Sequence, residues 1–434
     1  MIVLQILTTR RNFFIIIGVF CEKKDKEDGM SKRKKDKKWI KFRHLVVRNI
    51  AYAILKPYCF FKYGLKVDKF ENQKKSPYLI LFNHQTPFDQ FFVGMAFKGR
   101  VYYLATEDIF SLGWLSSLIR YLVAPIPIKK QTTDVRAILN CIKVSKEGGT
   151  IALAPEGNRT YSGRTEHMSP AIVPLARKLG LPVVLFKIEG GYGAEPRWSD
   201  VVRRGKVHAY VSEVISPEEY SKLTDDEFFG RIERGLYVNE ATADAEFRHK
   251  KLAEHIERAI YLCPECGFSS FESKGDIFRC KRCDMKVRYL PTKELRGEGF
   301  KLPFRFVADW YDYQSEFMNV LDVLEYTQKP MYQEEAVLSE VIPCVKKIKI
   351  CKCAKISLYG DRVEIAAEDG GRVFAFDKTT AITVLGRNKL NIYLDGKIYQ
   401  IKGEKSFNAL KYVHVYHRYK NIKKGDENVK FLGI

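Results

Sequence analysis

The chain has 434 residues, 46% hydrophobic and 29% charged, with 29 Gly and 16 Pro, which excludes a disordered, collagenous or coiled-coil main body. At roughly 100–200 residues per domain that length implies two or three domains, and a mean hydropathy of −0.25 argues against a multi-span membrane protein. Its 74 Lys and Arg outnumber 52 Asp and Glu, a net charge of +22 that calls for an anionic partner: nucleic acid, an anionic membrane surface or a phosphorylated substrate.

Half of that excess lies early, where 18 Lys and Arg between Glu22 and Ile80 face seven acids. Residues 13–21, FFIIIGVFC, are apolar but number only nine, against about 20 for a spanning helix. Arg10–Arg11 before them resembles a signal-peptide start, yet no small-residue cleavage site follows. Residues 1–38 are read as a basic tail, with residues 1–29 either a weak anchor or an upstream extension of the reading frame. Residues 39–67, WIKFRHLVVRNIAYAILKPYCFFKYGLKV, mix apolar and basic residues with interfacial aromatics and hold no acid. A helix of that kind behind a lysine tail is expected to lie in the headgroup plane of an anionic membrane; the alternative is a buried scaffold helix with a solvated charged edge.

From Tyr78 onward strand and helix signals alternate. Strands are expected at 78–83, 100–105, 150–155, 181–188 and 206–215, and helices at 109–122, 135–148 and 172–180, with Ser216 capping a further helix and helical patterns to about Tyr261. Near-continuous apolar strands between helices imply an α/β fold, a sheet covered on both faces. At Cys263 the character changes to two CxxC pairs, then a helical link around VADWYDY (307–313). The last hundred residues read as hairpins, turning at Asp369-Gly370-Gly371 and Asp395-Gly396, closed by a helix over 406–421. The expected boundaries are an α/β domain at 39–255, a zinc ribbon at 256–295, a helical linker at 296–334 and a pleckstrin-homology or GRAM-like β domain, capped by a helix, at 335–434.

Two strand ends carry chemistry-bearing loops. In Asn83-His84-Gln85-Thr86-Pro87-Phe88-Asp89, Thr86 as N-cap and Pro87 at the first position put Asp89 at the third helical position. The loop-to-helix bend can then return the carboxylate to the imidazole, giving a base oriented by a buried anion; an incidental His beside a capping Asp is the alternative. Ala154-Pro155-Glu156-Gly157-Asn158-Arg159 places a carboxylate, a Gly and a guanidinium where Arg159 can offer paired donors to phosphate, or where a turn carries a surface ion pair. The EGGYGAEPRW segment is expected to shape a loop over the site.

Together these loops resemble the glycerolipid acyltransferases, the lysophosphatidate acyltransferase family, over roughly residues 40–255. NHQTPFD matches the family's first motif and PEGNR its third, about 70 residues on. PIPIKK supplies Lys129 or Lys130 at the second, and GLPVVLF supplies Pro182 at the fourth. Asn158 replaces the usual Thr, and the second-motif base is Lys rather than Arg. The resemblance implies transfer of a fatty acyl group from a thioester donor, acyl-CoA or acyl-carrier protein, to the free hydroxyl of 1-acyl-glycerol-3-phosphate, giving phosphatidate; another lysolipid or glycerol phosphate is the alternative acceptor. His84 would be the general base and Asp89 its orienting partner, with Asn83, Lys129, Lys130, Glu156, Gly157, Arg159 and Pro182 binding substrate.

Cys263, Cys266, Cys280 and Cys283 form CxxC–x13–CxxC, the spacing of a closed structural Zn2+ site. The other six cysteines show no disulfide framework, which points to a reducing compartment, here the cytoplasmic face of a membrane with the protein peripheral or monotopic. A ribbon with a basic tail could instead mark a non-catalytic membrane or nucleic-acid binding protein, but no RNA- or DNA-binding signature accompanies it, so no nucleic acid is expected.

Overall fold

The computed structural model describes residues 38–71, 73, 77–106, 109–110, 114–128, 134–342, 346–366 and 370–425. The 13–21 run, the basic tail through Lys37, Lys129, Lys130 and Asp369 therefore lie outside the described residues.

Helix α1 (Phe42–Tyr63) realises most of the acid-free stretch. It stops at Gly64, whose left-handed backbone (φ 65°) returns its N–H to the Phe60 carbonyl at 3.0 Å. A Cβ there would meet the Gly205 carbonyl oxygen at 1.9 Å. The chain then leaves the helix and adds β1 (Leu65–Val67) to a sheet, so the segment expected as one helix to Val67 is a helix and a strand.

That sheet contains β1, β2 (Leu79–Phe82), β3 (Val101–Thr106), β4 (Ile126–Ile128), β5 (Thr150–Leu153), β6 (Val183–Glu189) and β7 (Val207–Ile215), in the order β1-β7-β6-β2-β5-β3-β4. Pairings are parallel except between β6 and β7, which makes the sheet mixed. All four residues of β2 are buried, as an apolar strand with no polar face requires. On one face Leu79, Leu81, Val183 and Leu185 pack with α4 (Val135–Lys146), α5 (Ile172–Leu179) and α8 (Asp225–Leu236). On the other, Phe186 meets Phe97 beyond α2 (Asp89–Ala96), and Tyr63 of α1 meets Phe92 of α2. Helix α3 (Trp114–Val123) lies beside α1, with Arg43 stacked over the Tyr121 ring at 3.9 Å. The turn helix α6 is Gly191–Ala194, and α7 (Pro217–Tyr220) starts with Ser216 as N-cap, as expected.

The stretch 237–261 departs from its helical pattern. It is irregular, a run of bends and turns with two isolated bridges (Asn239 and Arg248) and one 3-10 turn at Ile256–Arg258. Its backbone donors are claimed elsewhere, Phe247 N–H by Pro291 and Arg248 N–H by Arg204. Tertiary partners outweigh local propensity here.

Strands β8 (Leu262–Cys263) and β9 (Gly267–Phe268) form one small sheet, and β10 (Phe271–Lys274), β11 (Ile277–Cys280), β12 (Lys286–Tyr289) and β13 (Leu295–Gly297) a second. Helix α9 (Val307–Val320) leads to a seven-stranded antiparallel sheet of β14 (Tyr332–Ile342), β15 (Lys346–Leu358), β16 (Arg362–Ala366), β17 (Arg372–Ala375), β18 (Thr379–Leu385), β19 (Lys389–Leu394) and β20 (Lys397–Gly403). Asp395–Gly396 is the two-residue turn between β19 and β20, and α10 (Leu410–Lys424) closes the sheet. One continuous apolar core runs from Tyr161 and Trp198 through Phe278 and Trp310 to Ile356 and Tyr412. Trp310 anchors it, its indole N–H donating to the Leu262 carbonyl at 2.8 Å; each such buried side chain contributes roughly 1.5–3 kcal/mol.

Candidate functional site: a His–Asp pair beside an arginine cluster

β2 and β5 are neighbours in parallel register, so the loops that follow them emerge side by side at one edge of the sheet. His84 and Glu156 sit on those loops. His84 Nδ1 lies 2.8 Å from Asp89 Oδ2. The Asp89 carboxylate is sealed from solvent and also accepts the N–H of Gln85 (2.7 Å), the N–H of Thr86 (3.0 Å) and the Thr86 hydroxyl (2.7 Å). The loop is thus wrapped around an anion, and the imidazole, a quarter exposed, is its one ring partner. With Nδ1 committed to the carboxylate, Nε2 is the nitrogen free to take a proton. The helix begins at Asp89 rather than at Pro87, with Phe88 in the N-cap place. Thr86 uses its hydroxyl on Asp89 and accepts the Phe88 N–H at 3.1 Å instead of capping.

Glu156 ties the two loops together. Its oxygens accept the N–H of His84 at 2.7 Å and of Glu166 at 2.8 Å, and Thr160 N–H donates to the His84 carbonyl at 3.2 Å. Burial holds the Glu156 carboxyl well above the usual carboxylate range. Asn83 is spent on the sheet: its amide bridges the carbonyl and N–H of Ile188 in β6 at 2.8 and 2.7 Å. Asn83 and Glu156, expected to bind substrate, thus make contacts to backbone groups here. Gly157 is exposed in a left-handed conformation (φ 69°). Pro182 precedes β6 at the opposite end of the parallel strands, roughly 17 Å from the first loop, and the structure does not bring it to His84. The glycine-rich segment backs the first loop: Gln85 Oε1 accepts Tyr192 N–H at 2.9 Å, and a Cβ on Gly191 would meet that oxygen at 2.8 Å.

Arg159 enters an arginine-rich corner. Arg197, stacked on Tyr161 at 4.4 Å, donates to the Arg159 carbonyl at 2.8 Å. Burial, aided by the charges of Arg387 and Arg197 and opposed by Glu195, lowers the Arg159 guanidinium to about 10, so it stays protonated at neutral pH. Its Nη1 is buried and has no hydrogen-bond partner among the described residues. Glu195 is buried and shared by the Tyr63 hydroxyl and Arg387 Nη2. Glu195 and Arg197 belong to the EGGYGAEPRW segment expected over the site, although their individual roles have no local signal; Tyr63 and Arg387 have none at all, and Arg387 lies 192 residues from Glu195.

The four ribbon sulfurs lie within 4.8 Å of one another, with Cys263–Cys283 and Cys266–Cys280 both at 3.6 Å. Zinc–sulfur bonds of about 2.3 Å in a tetrahedron require sulfur separations of about 3.8 Å, so the cluster fits that ion.

Residues 64–188 match the family model described as Acyltransferase. The chain is 24% identical over 195 residues to the chloroplastic 1-acyl-sn-glycerol-3-phosphate acyltransferase of Brassica napus, covering 43% of this chain and 54% of that protein, so it spans about half the length of that relative. It is 22% identical over 175 residues to the 1-acyl-sn-glycerol-3-phosphate acyltransferase of Bacillus subtilis, covering 40% of this chain and 84% of that protein. The crystal structure of the 1-acyl-sn-glycerophosphate acyltransferase of Thermotoga maritima aligns with TM-score 0.36 and 24% identity over 44% of this chain and 75% of that one. The stretch that matches the acyltransferase family model is the one that carries both the NHQTPFD and the PEGNR loops.

Proposed function

We propose that the protein transfers a fatty acyl group from a thioester donor, acyl-CoA or acyl-carrier protein, to the free hydroxyl of 1-acyl-glycerol-3-phosphate and releases phosphatidate. The observation that carries this reading is the 2.8 Å pairing of His84 Nδ1 with buried Asp89, next to Arg159. His84 Nε2 takes the hydroxyl proton as the alcohol oxygen attacks the thioester carbonyl. The C–S bond then breaks, and the thiolate recovers the proton from the imidazolium. Asp89 fixes the tautomer and offsets the imidazolium charge. No acyl-enzyme is needed, because the acceptor is the nucleophile. Arg159 holds the acceptor phosphate, and Lys129 or Lys130 joins it.

Cys263, Cys266, Cys280 and Cys283 hold a structural Zn2+. With four protein thiolates the ion has no open position, so its work is to fold the ribbon. The C-terminal sheet and its closing helix are read as pleckstrin-homology or GRAM-like.

The protein works as a peripheral or monotopic enzyme on the cytoplasmic face of an anionic membrane. Among the described residues no helix is long and apolar enough to cross a bilayer. The support for surface binding is a stripe of exposed apolar residues on α1, Phe42, Val46, Ile50 and Ile54, continued on α3 by Trp114 and Leu118. These repeat every four residues on faces turned away from the core, amid Arg43, Arg48 and Lys56, a pattern suited to an acyl–headgroup boundary.

The test is an acceptor panel with the full chain on anionic vesicles, with products weighed by mass spectrometry. Phosphatidate formed from lysophosphatidate and an acyl thioester is expected. Consumption of a different lysolipid alone would overturn the acceptor, and no transfer to any acceptor would overturn the reaction.

A further inference from the structure

The C-terminal sheet reaches the site through Arg387. Arg387 lies on the turn between β18 and β19, and its Nη2 is 2.5 Å from Glu195 Oε1. Its Nη1 is 3.5 Å from Asp200 Oδ1, a carboxylate that also takes Arg258 at 2.7 Å. Glu195 is 2% exposed and holds the Tyr63 hydroxyl on its other oxygen. Two guanidinium groups, Arg159 and Arg387, therefore influence one buried carboxylate, and only Arg387 is hydrogen-bonded to it. Arg159 keeps a sealed N–H without a partner.

We infer that Arg387 is a positioning residue for the acceptor phosphate: by pairing with Glu195 it keeps that carboxylate from closing on Arg159, a partly exposed residue whose guanidinium stays uncommitted for the phosphate. This rests on the proposed reaction for the identity of the ligand, though not for the geometry. A buried carboxylate that loses its bonded cation pairs with another cation within reach, and Arg159 shares this corner, its carbonyl accepting Arg197, two residues from Glu195, at 2.8 Å. A guanidinium captured in this way loses donors that would otherwise bind a phosphate in paired fashion. The C-terminal sheet then sets acceptor affinity although it contributes nothing to proton transfer.

The experiment compares the wild type, Arg387→Ala, Arg387→Lys and the double variant Arg387→Ala/Glu195→Gln, each as the full chain on vesicles. Arg387→Ala is expected to raise KM for lysophosphatidate about tenfold. Its kcat and its KM for the acyl donor should stay within about twofold, and the phosphate-free acceptor 1-acylglycerol should be unaffected. Arg387→Lys retains one point charge and should recover part of the loss. Glu195→Gln keeps an oxygen for Tyr63 but removes the capturing charge, so the double variant should recover most of it. A merely structural Arg387 would instead lower kcat for every acceptor, with no rescue by the second change, and that result overturns the inference.

Calorimetric binding of glycerol 3-phosphate to the same four proteins, with no turnover required, separates the two failures. If the wild type forms phosphatidate but binding is equal in Arg387→Ala, the reaction stands and the role of Arg387 falls. If the wild type transfers no acyl group yet binding weakens in Arg387→Ala and returns in the double variant, the role stands and the reaction falls. A wild type that binds no glycerol 3-phosphate also overturns the role.

Discussion

The His84–Asp89 loop and the Arg159 corner sit close together and are built in opposite ways. Every partner of the Asp89 carboxylate named above lies between His84 and Thr86, and its hydrogen-bonding capacity is filled. The arginine corner draws on Tyr63, Arg159, Glu195, Arg197 and Arg387, spread over more than 300 residues, and it leaves Nη1 of Arg159 and Nε of Arg387 buried without partners among the described residues. A loop closed on itself positions a proton acceptor; a corner with unpaired donors is suited to receive an anion. Filled and unfilled hydrogen-bonding capacity thus divide the labour between positioning and binding.

The sharpest way to break that contrast is to remove the ring. His84→Ala should lower kcat by about 10²–10⁴-fold, while the melting temperature stays close to wild type, because the ring is partly exposed and its one hydrogen bond among the described residues is to Asp89. Substantial residual turnover in a steady-state assay would sink the general-base role. Asp89→Asn should cost comparable activity and also stability, and this distinguishes it from His84→Ala. An amide puts an NH2 among three N–H and O–H donors, leaving one of them opposed, at about 1–3 kcal/mol. A urea midpoint equal to wild type would show that the loop is not held by its anion. Asn83→Ala is milder. It strips two bonds from Ile188 and frees β2 to shift on β6, so kcat should fall about tenfold with KM unchanged. A change confined to KM would return Asn83 to the substrate-contact role expected from the sequence.

The same contrast explains what was legible in the sequence. Five of the seven strands of the mixed sheet, the Ser216 cap and the Asp395–Gly396 turn follow from apolar runs and local turn chemistry, so reading residue by residue locates them; the three-residue strands β1 and β4 are too short to leave such a run. The pairing of His84 with Asp89 is legible because five residues of chain can close it. Asn83 and Glu156 stand beside the site, but sequence position cannot show that their oxygens face backbone N–H groups of Ile188 and Glu166. Pro182 is drawn in by its motif but lies at the other end of the strands from His84, which only the register reveals. Arg387 is invisible to any local pattern, since its partner is fixed by how the C-terminal sheet packs. The segment 237–261 failed for a related reason: its helical spacing is real, but distant carbonyls take its N–H groups.

The smallest expected effect sets the site against a remote histidine through their opposite responses to acid. His44 on α1 is buried, and its Nδ1 lies 3.0 Å from the Tyr102 hydroxyl. Burial, with Arg43, Arg100 and Lys41 adding repulsion, lowers its imidazole to about 4. The unfolded chain takes that proton near 6.5. The folded state binds fewer protons between those values, so the stability His44 contributes is complete above pH 6.5 and is lost as pH falls toward 4. Glu156 and Glu195 act the other way. Burial raises both carboxyl groups, so the penalty for holding them charged is relieved as pH falls. The raw acid profile therefore mixes two signs, and the difference between wild type and His44→Asn isolates one. Asn offers the Tyr102 hydroxyl an oxygen in place of Nδ1 and does not titrate. Between pH 7 and pH 5 wild type should lose on the order of 1 kcal/mol relative to His44→Asn, after allowance for solvent screening. Parallel urea-midpoint profiles for the two proteins would mean that His44 takes its proton in the folded chain as readily as in the unfolded one, contrary to its burial. A wild type that gains stability toward pH 5, while His44→Asn gains more, would show the site glutamates outweighing a histidine that still behaves as its burial requires.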